Sequence, residues 1–358
     1  MIVPATPATL EQAARTLAAG DVVAFPTETV YGLGADAANP AAVARVFALK
    51  RRPADHPLIV HVASVEAAEA WAESMPPLAR RLAERFWPGP LTLVLRRAAH
   101  VDTAVTGGQD TIGLRVPSHP VALALLQAFA RVGSGAVAAP SANRFGRLSA
   151  TRAAHVVDEF GDAVPMVIDG GGSDVGIEST IVDVSNGRAV LLRPGAIGID
   201  RLAEVLGEPP AARDARSPRA SGTLASHYAP QAQVMLVEAD LVGEVVRFLA
   251  GDGRSVAVLA RTAGEPLFPA GPAAPRWQRA PADPAAYAHE LYATLRGLDV
   301  PGTDVIVVEQ PPQDVDWAAV HDRLLRAAAD RPVASDPVPP VTATAPARLP
   351  SPVPGRRR

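Results

Sequence analysis

"MVIDGGGSDVGIESTIVDVSNGRAVLLRPGAI", residues 166–197, decides the fold class by the order of its parts. The runs "MVIDGGG", "STIVDVSNG" and "AVLLRPGAI" are short, rich in β-branched and aliphatic residues and closed by turn residues, the pattern of strands. Asn186–Gly187 joins the last two as a hairpin turn would. The glycine run 170–172 lies between two strands. A dinucleotide-binding unit needs G-x-G-x-x-G opening a helix, and that spacing is absent. Hairpins beside helices predict one large twisted mixed sheet in an α/β or α+β domain.

The same alternation extends back to the N-terminus. Residues 6–19 read as a helix with Thr6 or Thr9 as N-cap, and "NPAAVARVFALK" (39–50) as a helix entered through Asn39 and Pro40. One or two helices occupy 65–86, broken at Pro76–Pro77, and another spans Pro120–Val132. "DVVAFPT", "HPLIVHVAS", "PLTLVLRRA", "TIGLRVPS" and "GAVAAPSAN" read as strands. After residue 206 the composition turns to Pro, Ala, Arg and Ser, and 207–232 reads as an extended linker. "QVMLVE", "SVAVLA" and "DVIVVEQ" then alternate with helices at 240–250, 284–298 and 315–330, predicting a smaller Rossmann-like domain over 233–331. Residues 332–358 form a proline-rich tail with too little apolar content to pack, read as disordered.

Composition removes several function classes. The chain has no cysteine, which excludes disulfides, thiolate nucleophiles and cysteine-built zinc sites. A net charge of −3 and 4% aromatics argue against a strong, stacking-based hold on nucleic acid. "MIVPATPATL" lacks the basic and apolar regions of a signal peptide, and no run is long enough for a membrane span. The chain therefore reads as soluble and cytoplasmic. No Walker P-loop, H-x-E-x-H-type cluster or G-x-S-x-G elbow is present.

Lys50 is the sole lysine among 34 basic residues. At a helix end, "KRR" ordinarily complements the dipole. Arginine would serve that purpose equally, and Pro53 turns these side chains out into a loop, so the sharper reading is a phosphate contact by a compact point charge. "FPTETVYGLG" (25–34) offers the hydroxyls of Thr27 and Thr29 on a strand-end loop, as a turn edge or as a ligand site. Arg115 sits in an otherwise apolar strand, facing solvent or clamping a carboxylate. "APSANRFGRLSAT" supplies Ser141, Asn143 and Ser149, and Ser149 or Thr151 reads as cap of the next helix. Glu178, Ser179 and Arg193 add polar groups at strand boundaries.

Taken in order, "FPTETVYGLG", "KRRPADHPLIVHV", "WPGPLTLVL", "TIGLRVPSHP", "APSAN", "ESTIVDV" and "LLRPGAI" closely resemble the Sua5/YrdC/YciO family, and "SHYAP" before a second α/β domain resembles its long Sua5 form. The resemblance spans about residues 5–330. It implies a YrdC-like catalytic domain over 1–206, a linker acting as a lid over 207–232 and a Sua5-type C-terminal domain. It implies a nucleotidyltransferase that makes threonylcarbamoyl-AMP and pyrophosphate from L-threonine, bicarbonate and ATP with Mg2+, for t6A at tRNA position 37. Carried over, Lys50 and Arg52 are the catalytic pair. Thr29, His61, Arg115, Ala139 and Ser179 would hold threonine. Lys50, Arg52, His56, Thr111, Ser141, Ser149, Arg193 and Tyr228 would surround ATP, and no protein side chain is assigned to a metal. His56 departs from the asparagine that family members often carry there. Expected partners are a downstream t6A transferase complex and a weak tRNA contact, with no membrane. Related carbamoyl-transfer proteins carry cysteine-rich zinc fingers, which this chain cannot build.

Overall fold

The computed structural model describes residues 1–266, 268 and 274–329; the proline-rich tail assigned to 332–358 lies outside them. Eleven strands among the described residues form the large sheet. They are β1 (Ile2–Pro4), β2 (Val23–Phe25), β3 (Gly32–Asp36), β4 (Ile59–Val62), β5 (Leu91–Arg96) and β6 (Thr111–Arg115). β7 (Ala136–Ala138), β8 (Val167–Asp169), β9 (Thr180–Asp183), β10 (Val190–Arg193) and β11 (Ala211–Ala212) complete it. Their spatial order is β1-β8-β2-β3-β7-β4-β6-β5-β9-β10-β11. Parallel pairs (β4 with β6, β5 with β9) alternate with antiparallel ones (β5 with β6, β9 with β10), so the sheet is mixed as the sequence predicts.

The opening stretch is split across this sheet. β9 and β10 form the expected antiparallel hairpin, with Val190 opposite Asp183. β8 instead lies near the far edge, parallel to β1 and β2. Residues 170–179 must therefore cross the molecule, and Glu178 and Ser179 are delivered to its middle.

Local chemistry explains the helices. Thr6 caps the helix Pro7–Ala18 in a reciprocal box with Thr9. Asn39 accepts from Ala41 N and Ala42 N at the start of Pro40–Lys50, where Pro40 arrives with its φ preset. The predicted break in 65–86 separates the helices Val65–Glu69 and Pro77–Phe86. In the C-terminal part, β12 (Gln233–Val237), β13 (Val256–Ala260), β14 (Arg276–Arg279) and β15 (Val305–Glu309) form a parallel sheet ordered β12-β15-β13-β14. Val, Ile, Leu and Ala fill its buried strands, as two covered faces require.

Four differences from the sequence reading have physical causes. "GLGAD" reads as a turn because glycine is depleted from strands, yet it is β3. A Cβ on Gly34 would approach Val137 Cγ1 to 2.6 Å and the Phe25 ring to 2.7 Å, so only glycine lets β3 pack there. The helix Ala153–Phe160 begins at Arg152 with no side-chain cap, and Ser149 and Thr151 do not serve it. The short helices Thr103–Thr106 and Ile199–Leu206, with β1, β11 and β14, escape a periodicity that needs longer windows. The linker is not a free tether either, because Tyr228 and His227 are 1% and 5% exposed.

Candidate active site

Eight stretches of chain converge on one cleft near the centre of the large sheet, lined by Thr29, Lys50, Arg52, His61, Arg115, Ala139, Ser141, Ser179, Arg193 and Tyr228. Ten of the residues expected at the site are thus brought together. β4 and β6 set the floor, and their register places His61 directly beside Arg115.

Arg115 is 3% exposed, which rules out a solvent-facing edge position. Its Nη2 donates to Glu28 Oε1 at 2.5 Å and its Nη1 to Thr29 Oγ1 at 2.8 Å. The loop 26–31 between β2 and β3 holds both partners, stiffened by Thr27, whose hydroxyl donates to Val30 O at 2.6 Å. Thr27 therefore spends its hydrogen on the loop itself. Burial pushes the Glu28 carboxyl up, but the Arg115 charge and hydrogen bond outweigh it and leave the group below its ordinary value. His61 is driven down to about 3, first by burial and then by the Arg115 charge, so its imidazole is neutral at neutral pH. Among the described residues its Nδ1 has no hydrogen-bond partner, nor has Glu28 Oε2.

The helix Pro40–Lys50 brings the cations. Lys50 is 1% exposed, and its Nζ donates to Ser141 O at 2.6 Å and to Asn143 O. Neither a loose helix-end charge nor a loop-borne side chain describes it. Arg51 then adopts φ 52°, turning the chain so that Arg52 folds back under the cleft. Arg52 Nη2 donates to Pro57 O at 2.9 Å and to Ser221 Oγ at 3.3 Å. Arg193, at the end of β10, donates through Nε and Nη2 to Ser179 O at 3.1 and 2.9 Å and through Nη1 to Ser221 O at 2.8 Å. Among the described residues none of these three cations makes an ion pair. Burial lowers the pKa of all three, and neighbouring positive charge adds to it; Arg52 falls to about 10. Three buried cations in one cleft, none of them in a salt bridge among the described residues, make a candidate anion site, because unpaired buried charge is costly until a counter-charge arrives.

The linker closes the fourth side with Ser221, Gly222, His227 and Tyr228. With it in place the cleft measures about 40 Å³, room for little more than a water molecule. A larger cavity of about 360 Å³ lies between residues 194–201 and the helices at 284–288 and 318–320. Among the described residues no buried charged side chain lines it, which leaves the smaller cleft as the candidate site.

Three expected residues fall outside the cleft. His56 is half-buried with its ring 5.2 Å from the Phe145 ring. Thr111 lines a separate cavity of about 20 Å³ with Thr92, Arg219 and Ser221. Ser149 is fully buried and donates its hydroxyl to Glu178 Oε1. Conversely, the cleft includes Glu178, which the sequence offers only as a polar group at a strand boundary, and Ser221 and His227, to which it gives no role. His227 sits inside the quoted "SHYAP"; the pairing of Glu28 with Arg115, 87 residues apart, leaves no local trace.

The Sua5_yciO_yrdC model, described as telomere recombination, matches residues 15–195, and the threonylcarbamoyl-AMP synthase C-terminal domain matches 197–329. The threonylcarbamoyl-AMP synthase of Pyrococcus abyssi is 39% identical, covering 87% of this chain and 92% of that protein. That of Bacillus subtilis is 36% identical over 90% and 93% of the two chains. The crystal structure of P. abyssi Sua5 complexed with L-threonine superposes with a TM-score of 0.84 at 36% identity, covering 92% of this chain and 97% of that one.

Proposed function

Because the chain belongs to the Sua5/YciO/YrdC family, with the Sua5 C-terminal domain following, we propose that it is a threonylcarbamoyl-AMP synthase. It forms threonylcarbamoyl-AMP and pyrophosphate from L-threonine, bicarbonate and ATP, in the cytoplasm, for tRNA modification. The observation that carries this reading is the pairing of two subsites in one cleft. Arg115, Thr29 and neutral His61 form one, and the buried cations Lys50, Arg52 and Arg193, none of them in a salt bridge among the described residues, form the other.

The subsites suit the chemistry. Arg115 is fixed on three sides by Glu28, Thr29 and Gly89 O, so its guanidinium is oriented before a substrate carboxylate arrives. Neutral His61 offers a hydrogen bond without adding charge beside an amine that must lose its proton to form a carbamate. A carbamate oxygen then attacks the α-phosphorus of ATP, and the bond to the leaving pyrophosphate breaks. The nucleophile comes from the substrate, which explains why the site has no serine–histidine pair. The chain's own part is charge placement: Lys50, Arg52 and Arg193 face the phosphates and stabilise the departing pyrophosphate.

Mg2+ enters as the counter-ion of ATP. Among the described residues no cluster of three or more His, Asp or Glu could hold it, and Glu178, the one carboxylate lining the cleft, is occupied by Ser149, Tyr292 and Arg323. ATP cannot enter a cleft of about 40 Å³, so the linker opens for substrates and closes for reaction, shielding the labile carbamate from water. The product passes to a downstream t6A transferase complex, with at most a weak tRNA contact here. No helix among the described residues is long and apolar enough to cross a membrane. Mass spectrometry of a reaction with ATP, threonine and bicarbonate tests the assignment: a threonylcarbamoyl-AMP peak supports it, and AMP alone contradicts it.

A further inference from the structure

The C-terminal domain grips Glu178, a residue that lines the catalytic cleft. Arg323, on the helix Ala318–Ala328, is 1% exposed. Its Nε donates to Glu178 Oε2 at 2.9 Å, its Nη2 to Pro194 O at 3.0 Å and its Nη1 to Asp322 at 2.6 Å. Tyr292, on the helix Pro284–Leu298, donates its hydroxyl to the same Oε2 at 2.9 Å. The other oxygen of Glu178 accepts from Ser149 of the catalytic domain. Glu178 is thus gripped from both domains, one residue from Ser179, where Arg193 is anchored.

The same two side chains seat the linker. The Tyr228 ring lies 5.2 Å from the Arg323 guanidinium and is stacked on Tyr292 at 5.7 Å and 30°. Tyr228 has φ 59°, a left-handed conformation that a bulky residue holds only when its surroundings enforce it. Its hydroxyl reaches Gly222 O at 3.4 Å, next to Ser221, which bonds Arg52 and Arg193. A buried ion pair of this kind is poor value as a source of stability, since apolar residues of similar volume do as well or better. What it provides is a fixed geometry linking two domains and a linker.

We infer that Arg323 and Tyr292 are positioning residues of the reaction: from the C-terminal domain they hold Glu178 and Tyr228 as one unit behind the cation wall, so the working site is built by both domains. This rests on the synthase reading. Burial raises the Glu178 pKa, and Arg323 first and Arg193 second pull it below its ordinary value. Lys50, Tyr228 and Tyr292 also face this carboxylate, and Asp322 stands behind Arg323. Without Arg323 the carboxyl should take up a proton at higher pH and release its grip.

The test uses the full chain with Arg323→Met, Arg323→Lys and Tyr292→Phe. Pyrophosphate release is followed with ATP, threonine and bicarbonate across a range of pH, with thermal unfolding recorded for each variant. Arg323→Met should lower kcat by about tenfold or more and move the acid limb of the pH profile upward. Arg323→Lys should restore part of both, and Tyr292→Phe should move the limb the same way by less. Adding Glu178→Gln to Arg323→Met should cost little more, since one route carries both effects. Folded variants with the wild-type kcat and acid limb overturn the inference. If Arg323→Met does not fold, Tyr292→Phe decides, and an unmoved limb overturns it. A wild-type chain releasing no threonine-dependent pyrophosphate overturns the synthase reading instead; faster tryptic cleavage at Arg219 in the variants would then still support the seating of the linker, and equal rates would overturn it.

Discussion

Replacing Lys50 with arginine keeps the charge and changes only its shape. Lys50 Nζ is enclosed at 1% exposure, bonded to Ser141 O at 2.6 Å and to Asn143 O. A planar guanidinium there must displace its neighbours, an overpacking cost of about 1–3 kcal/mol. Its forked donors also cannot meet two carbonyls that converge on one nitrogen. Taking about 2 kcal/mol as the loss in transition-state stabilisation gives about a thirtyfold fall in kcat/KM for ATP. Lys50→Met removes two charge-assisted hydrogen bonds at about 1.5–3 kcal/mol each, for a fall of about 10²–10⁴-fold. Pyrophosphate release at varied ATP and saturating threonine reads both, with thermal unfolding to separate lost fold from lost activity. A folded Lys50→Arg chain of wild-type activity would refute the reasoning, because any cation at the helix end would then serve.

Glu28→Gln leaves Arg115 buried with its charge unpaired; we expect a raised KM for threonine and a stability loss of about 3–5 kcal/mol, measured by kinetics and denaturant titration. Gly222→Ala places a Cβ 1.9 Å from the Tyr228 hydroxyl at φ +73°, so the linker cannot seat and kcat should fall while the melting transition of the chain moves little. His61 has a folded pKa of about 3 against about 6.5 unfolded. The unfolded state therefore binds the proton first, and stability is lost as pH falls from 6.5 towards 3, by up to about 5 kcal/mol. His61→Gln should flatten that part of the stability–pH curve, and an unchanged slope would count against a buried neutral imidazole.

The sequence carries the fold where the signals are local. Asn39–Pro40, the break at Pro76–Pro77 and Asn186–Gly187 mark their elements because capping, proline and turn chemistry act within a few residues. β3 is illegible because its glycines answer to Phe25 and Val137, a packing demand that only tertiary structure reveals. The cleft follows the same division. Lys50, Arg52, Arg115 and Arg193 stand out as charges at strand and helix ends, and the structure gathers them. Their environment does not stand out: Lys50 on two carbonyls 91 and 93 residues away, and Arg323 on Glu178 across 145 residues, are products of topology. Ser149 shows the converse, a residue whose local pattern fits a helix cap while its hydroxyl serves a distant carboxylate.

On the proposed function, threonine and bicarbonate supply the nucleophile for adenylate formation in this cleft. This is tested most directly by measuring pyrophosphate release with ATP, L-threonine and bicarbonate together and with each omitted in turn. Release should occur only when all three are present, and release that persists without threonine would contradict a nucleophile drawn from the substrate.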